Sequence, residues 1–295
     1  MSGLSAPPSE YTYRVSGHNT MIKLADGKIA KHATEKEHYC YEQMYKKNSK
    51  LIDFSATYFG VHPIDVNIHT LHRADSLRYN NSKSDIHIDQ TGGTASTNEE
   101  GKPPGYLILE DLNRYYRYPC ILDIKLGTRT YWDGAPPERV ERHIRVCKST
   151  TSGALGIRLC GMRVYRPAQK TWFIRDKKWG KSLTVDAFLP SMATFFYNGA
   201  TFRTDIIDDI ISKVSELRDA VRESNWRFWS SSILITYDGE GESKVGVHLI
   251  DFGNCNFSDD YTTPDEGCIL ALSNIIAYLR LIQNGAVSST CVKDL

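Results

Sequence analysis

The stretch RYNNSKSDIHIDQTGGTASTNEEGKPPG, residues 78–105, is rich in Asn, Ser, Thr and Gly and nearly free of large apolar side chains. Such a segment buries too little surface to offset the entropy of ordering it. No single apolar core can run through the whole chain, so the packed structure must be built from the residues on either side, with this segment as a mobile loop. YLILEDL (106–112) follows it, a buried strand with a polar end that marks a join between two parts. The expected layout is a loose tail over 1–10, a small strand-rich lobe over 11–112 that carries the loop, and a larger mixed lobe over 113–295. The chain's 295 residues are enough for two such lobes sharing a cleft.

Short strands are expected in the first lobe: TYRVSG, TMIKLADG and KIAKH, with turns at Gly17 and Asp26-Gly27. EKEHYCYEQMYKKNS (35–49) is helix-compatible, and another strand pair is expected around 51–75. Beyond the join, YPCILDIKLG (118–127) reads as a strand and PPERVERHIRVCK (136–148) as a helix with proline at its start. LCGMRVYR and TWFIRD read as strands around a short turn. Ile206, Ile210, Val214, Leu217 and Val221 recur at spacings of three and four, which predicts a helix capped by Thr204. Residues 231–253 read as a β-hairpin around Asp238-Gly239, and CILALSNIIAYLRLI (268–282) as a buried helix.

The formal net charge is +1, so a strongly anionic partner must be met by a local patch of cations. Neither nucleic-acid binding nor a membrane span is expected: no nucleic-acid motif is present, and no apolar run approaches the roughly 18 residues a span needs. The seven cysteines form no CxxC pair and no zinc spacing, which suits a reducing compartment. MSGLSAPPSEYTYR has neither a basic nor an apolar signal region. A cytoplasmic monomer is expected, and a nuclear pool is compatible with the same features.

Four pieces carry chemistry. Lys31, on an expected strand, precedes Glu37 and Glu42 on the next helix; a lysine–glutamate pair of this kind can hold the phosphates of ATP. Glu110, Asp111 and Leu112 end a strand whose backbone can face adenine. Asp123 and Lys125 lie two apart and share one face of a strand, an arrangement expensive to bury without a ligand or metal. Asp251 ends an apolar strand just before Phe252-Gly253 and resembles the metal-holding Asp-Phe-Gly of protein kinases. Each piece alone is weak. Their order fits a bilobal α+β enzyme of ATP-grasp or protein-kinase-like fold, yet GxGxxG, HRD, APE and Walker sequences are all missing.

PCILDIKLG also resembles the PxxxDxKxG signature of the inositol polyphosphate kinase family, through Pro119, Asp123, Lys125 and Gly127. SSSILI (230–235) and LIDFG (249–253) are similar to that family's Ser-Ser-Leu-Leu and Ile-Asp-Phe motifs. CKSTTSGALGIRLCGMRVY (147–165) resembles the inositol hexakisphosphate kinase branch in particular. The resemblance implies ATP and Mg²⁺ as cofactors and an inositol polyphosphate as substrate. It implies that Lys31 contacts ATP phosphates, that Glu110, Asp111 and Leu112 hold adenine, and that Asp251 binds Mg²⁺. Glu42 is placed with the ATP-binding residues beside Lys31. Asp123 is implied either at the ATP ribose or beside the acceptor hydroxyl, and Lys125 at the substrate and the transferred phosphate. Asn254 departs from the pattern: hexakisphosphate kinases and multikinases usually carry His there. Asn donates a hydrogen bond but no charge, which affects either that substrate contact or the branch.

An acceptor with many phosphates demands many cations. On the expected helix, Arg139, Arg142 and His143 fall within an arc of about 100°, beside an apolar stripe of Val140, Ile144 and Cys147. Lys148 widens the basic side, and Lys181 belongs to a second cluster with Arg175, Lys177 and Lys178. The expected function is an ATP-dependent hexakisphosphate kinase that makes a diphosphoinositol. A multikinase acting on free hydroxyls of lower inositol phosphates is the enzyme alternative, and a catalytically weak inositol phosphate-binding scaffold is the alternative of another class.

Overall fold

The computed structural model describes residues 9–13, 15, 21–62, 105–241 and 244–293. The expected polar loop therefore lies outside the described residues except for Gly105, and so does the greater part of the strand pair expected around 51–75.

In chain order the elements are β1 (Ser9–Glu10), β2 (Met21–Lys23), β3 (Lys28–Ala33), α1 (Glu35–Lys46), β4 (Tyr58–His62), β5 (Gly105–Glu110), β6 (Pro119–Leu126), α2 (Pro137–Lys148), α3 (Thr151–Leu155), β7 (Ile157–Arg166), β8 (Thr171–Arg175), α4 (Lys177–Ser182), α5 (Val185–Ala193), α6 (Ile207–Glu223), β9 (Ser232–Asp238), β10 (Val245–Ile250), α7 (Glu266–Gln283) and α8 (Ser289–Lys293). The strands form two antiparallel five-stranded sheets, ordered β1-β2-β3-β5-β4 and β10-β9-β6-β7-β8.

The first sheet is organised by the Asp26-Gly27 turn. Both residues have positive φ, 57° and 69°, which matches the twist of a tight hairpin and joins β2 to β3. Thr34 then caps α1 by accepting the amide of Glu37, which is the first half of a capping box. Glu37 would complete such a box by reaching back to the cap; here its carboxylate turns to Lys31.

Several expectations need correction. Residues 11–13 are not strand, and Tyr11 is buried with its hydroxyl on Asp111; Arg14, Ser16 and the expected turn at Gly17 lie outside the described residues. Ser9–Glu10, expected in the loose tail, pairs with β2. The chain after α1 makes a 3-10 turn, Lys50–Phe54, with Ser49 accepting the Leu51 amide, before β4 begins. Thr204 does not cap α6: it opens a 3-10 turn, and Ile206 occupies the cap position with no side-chain bond. The short helices α3, α4, α5 and α8 carry too few residues for a periodic signal.

The second sheet holds the main core. β6 lies at its centre, and along it only Lys125 is not fully buried. α6 and α7 pack together and cover it, with Ile210, Val214, Leu217, Leu272, Ile275 and Leu279 all buried. α7 is the one helix among the described residues long and apolar enough to cross a bilayer, but these burials are those of a core helix. All seven cysteines are free, six of them buried and Cys291 exposed. The two halves meet through α1: Tyr41 packs edge-on against Phe252 at 5.2 Å, and Lys47 pairs with Asp259.

Candidate active site

Three strands of the second sheet end at one place. Lys125 on β6 stands in register with Ser232 on β9, and Ser232 with Ile250 on β10. The residues just past these ends, Ser230 and Asp251, both take left-handed backbone, with φ of 62° and 65°. For a non-glycine residue this conformation costs of order 1 kcal/mol. Such strain often marks functional positions, and here both residues face the same cavity. The Ser230 carbonyl accepts the Lys125 ammonium at 2.5 Å, which fixes that long side chain across the strand ends.

The first sheet answers from the other side. Lys31 on β3 donates to Glu37 at 2.8 Å and to Asp251 at 2.7 Å, so one cation ties α1 to the end of β10. Burial acts to push the Asp251 carboxyl up, but Lys31 and then Lys125 overcome it and hold the group down at about 2. Burial likewise works against the charge on Lys31, and the two carboxylates outweigh it, so its ammonium is held well above the usual lysine range. The Asp251 side chain keeps 39% of its surface exposed, so it can still meet a ligand.

A cavity of about 370 Å³ lies between the sheets, lined by Lys31, Glu110, Leu112, Asp123, Lys125, Asp251 and Asn254 among the expected residues. Its apolar side is formed by Ile29, Leu109, Ile121 and Leu234, as a flat ring would require. Asp111 does not line it. Its carboxylate accepts Tyr11 Oη at 2.7 Å and the Asn113 amide at 3.0 Å, and its own N–H bonds the Gly27 carbonyl at 2.8 Å. This residue holds the join together. Glu42 is also corrected: five residues beyond Glu37 it lies about 140° further round the helix, where it pairs with His38 and is 55% exposed. Glu37 is the partner of Lys31.

The expected acceptor residues divide. Lys125 and Asn254 reach the cavity, whereas Arg139, Arg142, His143, Lys148 and Lys181 do not line it. Arg139 and Arg142 are exposed on α2, with the Arg139 guanidinium 4.7 Å from the centre of the Trp132 ring. Lys148 is exposed at the last turn of α2, and Lys181 on α4. His143 is half-buried, with Nδ1 2.7 Å from the Thr130 hydroxyl; Asn254 donates to the Thr130 carbonyl at 3.2 Å. Burial, followed by Arg142 and Arg139, lowers the His143 pKa, so this side chain is a neutral hydrogen-bonding group rather than the third cation of the arc. Only Cys147 of the expected apolar stripe is fully buried.

Ser230 and Asn113 line the cavity without having been singled out for it, and of the second basic cluster it is Lys177 that reaches it. Lys177 is brought there by α4, whose Asp176 accepts the amides of Lys178 and Trp179 as an N-cap. Gly180 lets this helix lie directly on β7, since a Cβ there would meet the Leu159 carbonyl at 1.9 Å. Neither the Asp176 cap nor the docking of α4 on the sheet was anticipated, since TWFIRD was expected to run as strand through Asp176.

Among the described residues, no three His, Cys, Asp or Glu side chains gather as a metal cage. One accessible carboxylate, Asp251, suits an ion that takes one or two protein ligands and completes its shell with phosphate oxygens and water.

Comparison with known proteins places this geometry. Residues 106–280 match the family described as IPK, inositol polyphosphate kinase. The chain is 37% identical over 209 residues to inositol hexakisphosphate kinase 3 of Mus musculus, covering 63% of this chain and 53% of that protein. It is 29% identical over 256 residues to inositol hexakisphosphate kinase 1 of Rattus norvegicus, covering 72% and 59%. The chain thus spans a little over half the length of these relatives. Its fold is similar to that of the inositol phosphate multikinase Ipk2 from S. cerevisiae, solved in complex with ADP and Mn²⁺, with a TM-score of 0.63 at 20% identity over 86% of this chain and 98% of that one. The match over 106–280, in a bilobal α+β architecture that brings Asp123, Lys125 and Asp251 to one cavity, assigns the chain to the inositol polyphosphate kinase family.

Proposed function

We propose that this chain is an ATP-dependent inositol hexakisphosphate kinase that transfers the γ-phosphoryl group to a phosphate of the ring and makes a diphosphoinositol. The observation that carries this reading is the meeting of Lys31, Lys125 and Asp251 at one cavity, with further cations on the acceptor side. Its similarity to the hexakisphosphate kinases of mouse and rat supports the choice of acceptor.

In this reading, residues 11–112 form the nucleotide lobe and 113–295 the acceptor lobe. Adenine enters between Ile29, Leu109 and Leu234 and meets the backbone at Leu112. Lys31 contacts the ATP phosphates, and Asp251 holds Mg²⁺, which would supply charge neutralisation on the phosphates. Lys125 offsets charge on the moving phosphoryl group, with Asp123 two residues before it on the same strand face. An acceptor phosphate is already ionised at pH 7, so the reaction asks less of a general base than a hydroxyl acceptor would. The free thiols suit a cytoplasmic enzyme.

The test is incubation with Mg-ATP and, separately, inositol hexakisphosphate and inositol trisphosphate, with products resolved by charge. A product more anionic than the hexakisphosphate is expected. Turnover of the trisphosphate alone would move the chain to the multikinases, and turnover of neither by folded protein would favour a binding role.

A further inference from the structure

The first residues of a chain are poorly ordered unless something ties them down. Here residues 9–13 and Val15 are tied repeatedly, and the ties cross from one sheet to the other. Ser9 and Glu10 pair with β2 of the first sheet, and the Tyr11 amide continues that pairing onto the Met21 carbonyl at 3.1 Å. At the join of the lobes the Tyr11 hydroxyl donates to Asp111 and accepts from the Asn113 side chain, each at 2.7 Å. The Thr12 carbonyl then accepts Nη1 of Arg163, on β7 of the second sheet, at 3.3 Å. The same guanidinium lies 5.2 Å from the centre of the Tyr13 ring. The Val15 carbonyl rests against Gly161, also on β7.

Register tells what this strap covers. Ile121 and Asp123 line the cavity from β6, and their partners on β7 are Arg163 and Gly161. Residues directly opposite on paired strands point to the same face of the sheet. Gly161 therefore stands on the cavity face and leaves it bare. A Cβ there would meet the Val15 carbonyl oxygen at 2.2 Å, backbone against backbone. Glycine inside a strand sacrifices packing, and its use here is to let a second backbone approach closely. The strap thus runs from the join, where Tyr11 is held, to the point opposite Asp123, where Val15 is held. Tyr11, Tyr13 and Val15 all line the cavity along the way.

We propose that Tyr13 and Val15 are nucleotide-binding residues, and that the strap is the wall of the nucleotide slot that β7 leaves open at Gly161. The role rests on the kinase reading above, in which adenine meets the backbone at Leu112. Buried Tyr11 anchors the strap, Tyr13 offers a ring steadied by Arg163, and Val15 offers an aliphatic side chain. Together they shield the base and ribose from water and slow the escape of the nucleotide. The strap's described contacts on β7 lie opposite Ile121 and Asp123 rather than opposite Lys125. The effect therefore falls on ATP and not on the acceptor.

Gly161→Ala and Tyr13→Ala test this in the full chain. The first lifts the strap with a methyl group, and the second leaves the strap but removes its ring. Each is expected to raise the ATP KM about fivefold or more, while the hexakisphosphate KM stays within about twofold. Tyr13→Phe should recover most of the loss. A strap that only stabilises the fold would lower the Tm and leave the ATP KM within about twofold of the parent. That result in Tyr13→Ala would overturn the proposal, as would an equal rise in both KM values. If the parent turns over no inositol phosphate, the kinase reading fails, and the wall is read by binding alone. MgADP affinity, measured by calorimetry, should then fall about fivefold or more in Tyr13→Ala. Equal affinity in parent and variant, or no MgADP binding by the parent, would overturn the wall as well.

Discussion

The two sides of the cleft handle charge in opposite ways. On the nucleotide side Lys31 is matched by two carboxylates, Glu37 and Asp251, before any ligand arrives. On the acceptor side Lys125 rests on a backbone carbonyl and Arg158 on a hydroxyl, and burial with neighbouring cations lowers the pKa of Lys177. A self-neutralised cluster is rigid and pre-aimed, which suits a nucleotide whose phosphates must be held in line. A surplus of cations is tense until it is filled, which suits a polyanion that can repay it on binding.

The comparison can be broken most forcefully at Asp251. Asp251→Asn should lower turnover on the order of 10³-fold, while hexakisphosphate affinity measured by calorimetry stays within about threefold. An equal loss of acceptor affinity would show that the two sides are not separable. Next comes Lys31→Met, which strands the Glu37 carboxylate at 4% exposure. Urea unfolding should report a loss of about 3 kcal/mol, and adding Glu37→Gln should restore stability but not ATP use. Arg142→Ala lies on the exposed rim, where a fivefold rise in acceptor KM is expected, about 1 kcal/mol. Its salt dependence should be shallower than the parent's, with the ATP KM unchanged.

The smallest effect concerns pH. Burial, with Lys213 adding and Glu110 opposing, holds the His248 pKa down at about 4. The unfolded chain then binds more protons than the folded one between pH 4 and the ordinary histidine value near 6.5, so stability rises with pH across that window. His248→Gln should flatten this slope in urea midpoints taken at pH 4.5 and 7. Asp251 works in a lower window: its depressed pKa contributes stability above about 3.8 that is lost as pH falls toward 2.

Much of this was legible in the residues themselves. β6 and the β9–β10 hairpin follow from short apolar runs, α6 from helical spacing, and Asp123, Lys125 and Asp251 from motifs whose residues stay near one another along a strand. What was hidden depends on long-range packing. Glu37 and Glu42 look alike on paper, and only the rotation of α1 against β3 decides which meets Lys31. Asp111 reads like its neighbour Glu110, yet Tyr11, a hundred positions earlier, takes its carboxylate. Arg158 lies just before the strand expected from Leu159, and the one-residue irregularity that sets it opposite Lys125 has no local signal.

The cysteines have a practical consequence. Cys291 is the exposed thiol, on the short α8, and hydrogen bonding from Ser288 lowers its pKa, which favours the reactive thiolate. The other six are shut inside. A maleimide dye should therefore attach at a single place on the folded molecule without any cysteine having to be removed. Counting reactive thiols before and after denaturant, one against seven, would turn the side-chain inventory into a direct assay of how many molecules in a preparation are folded.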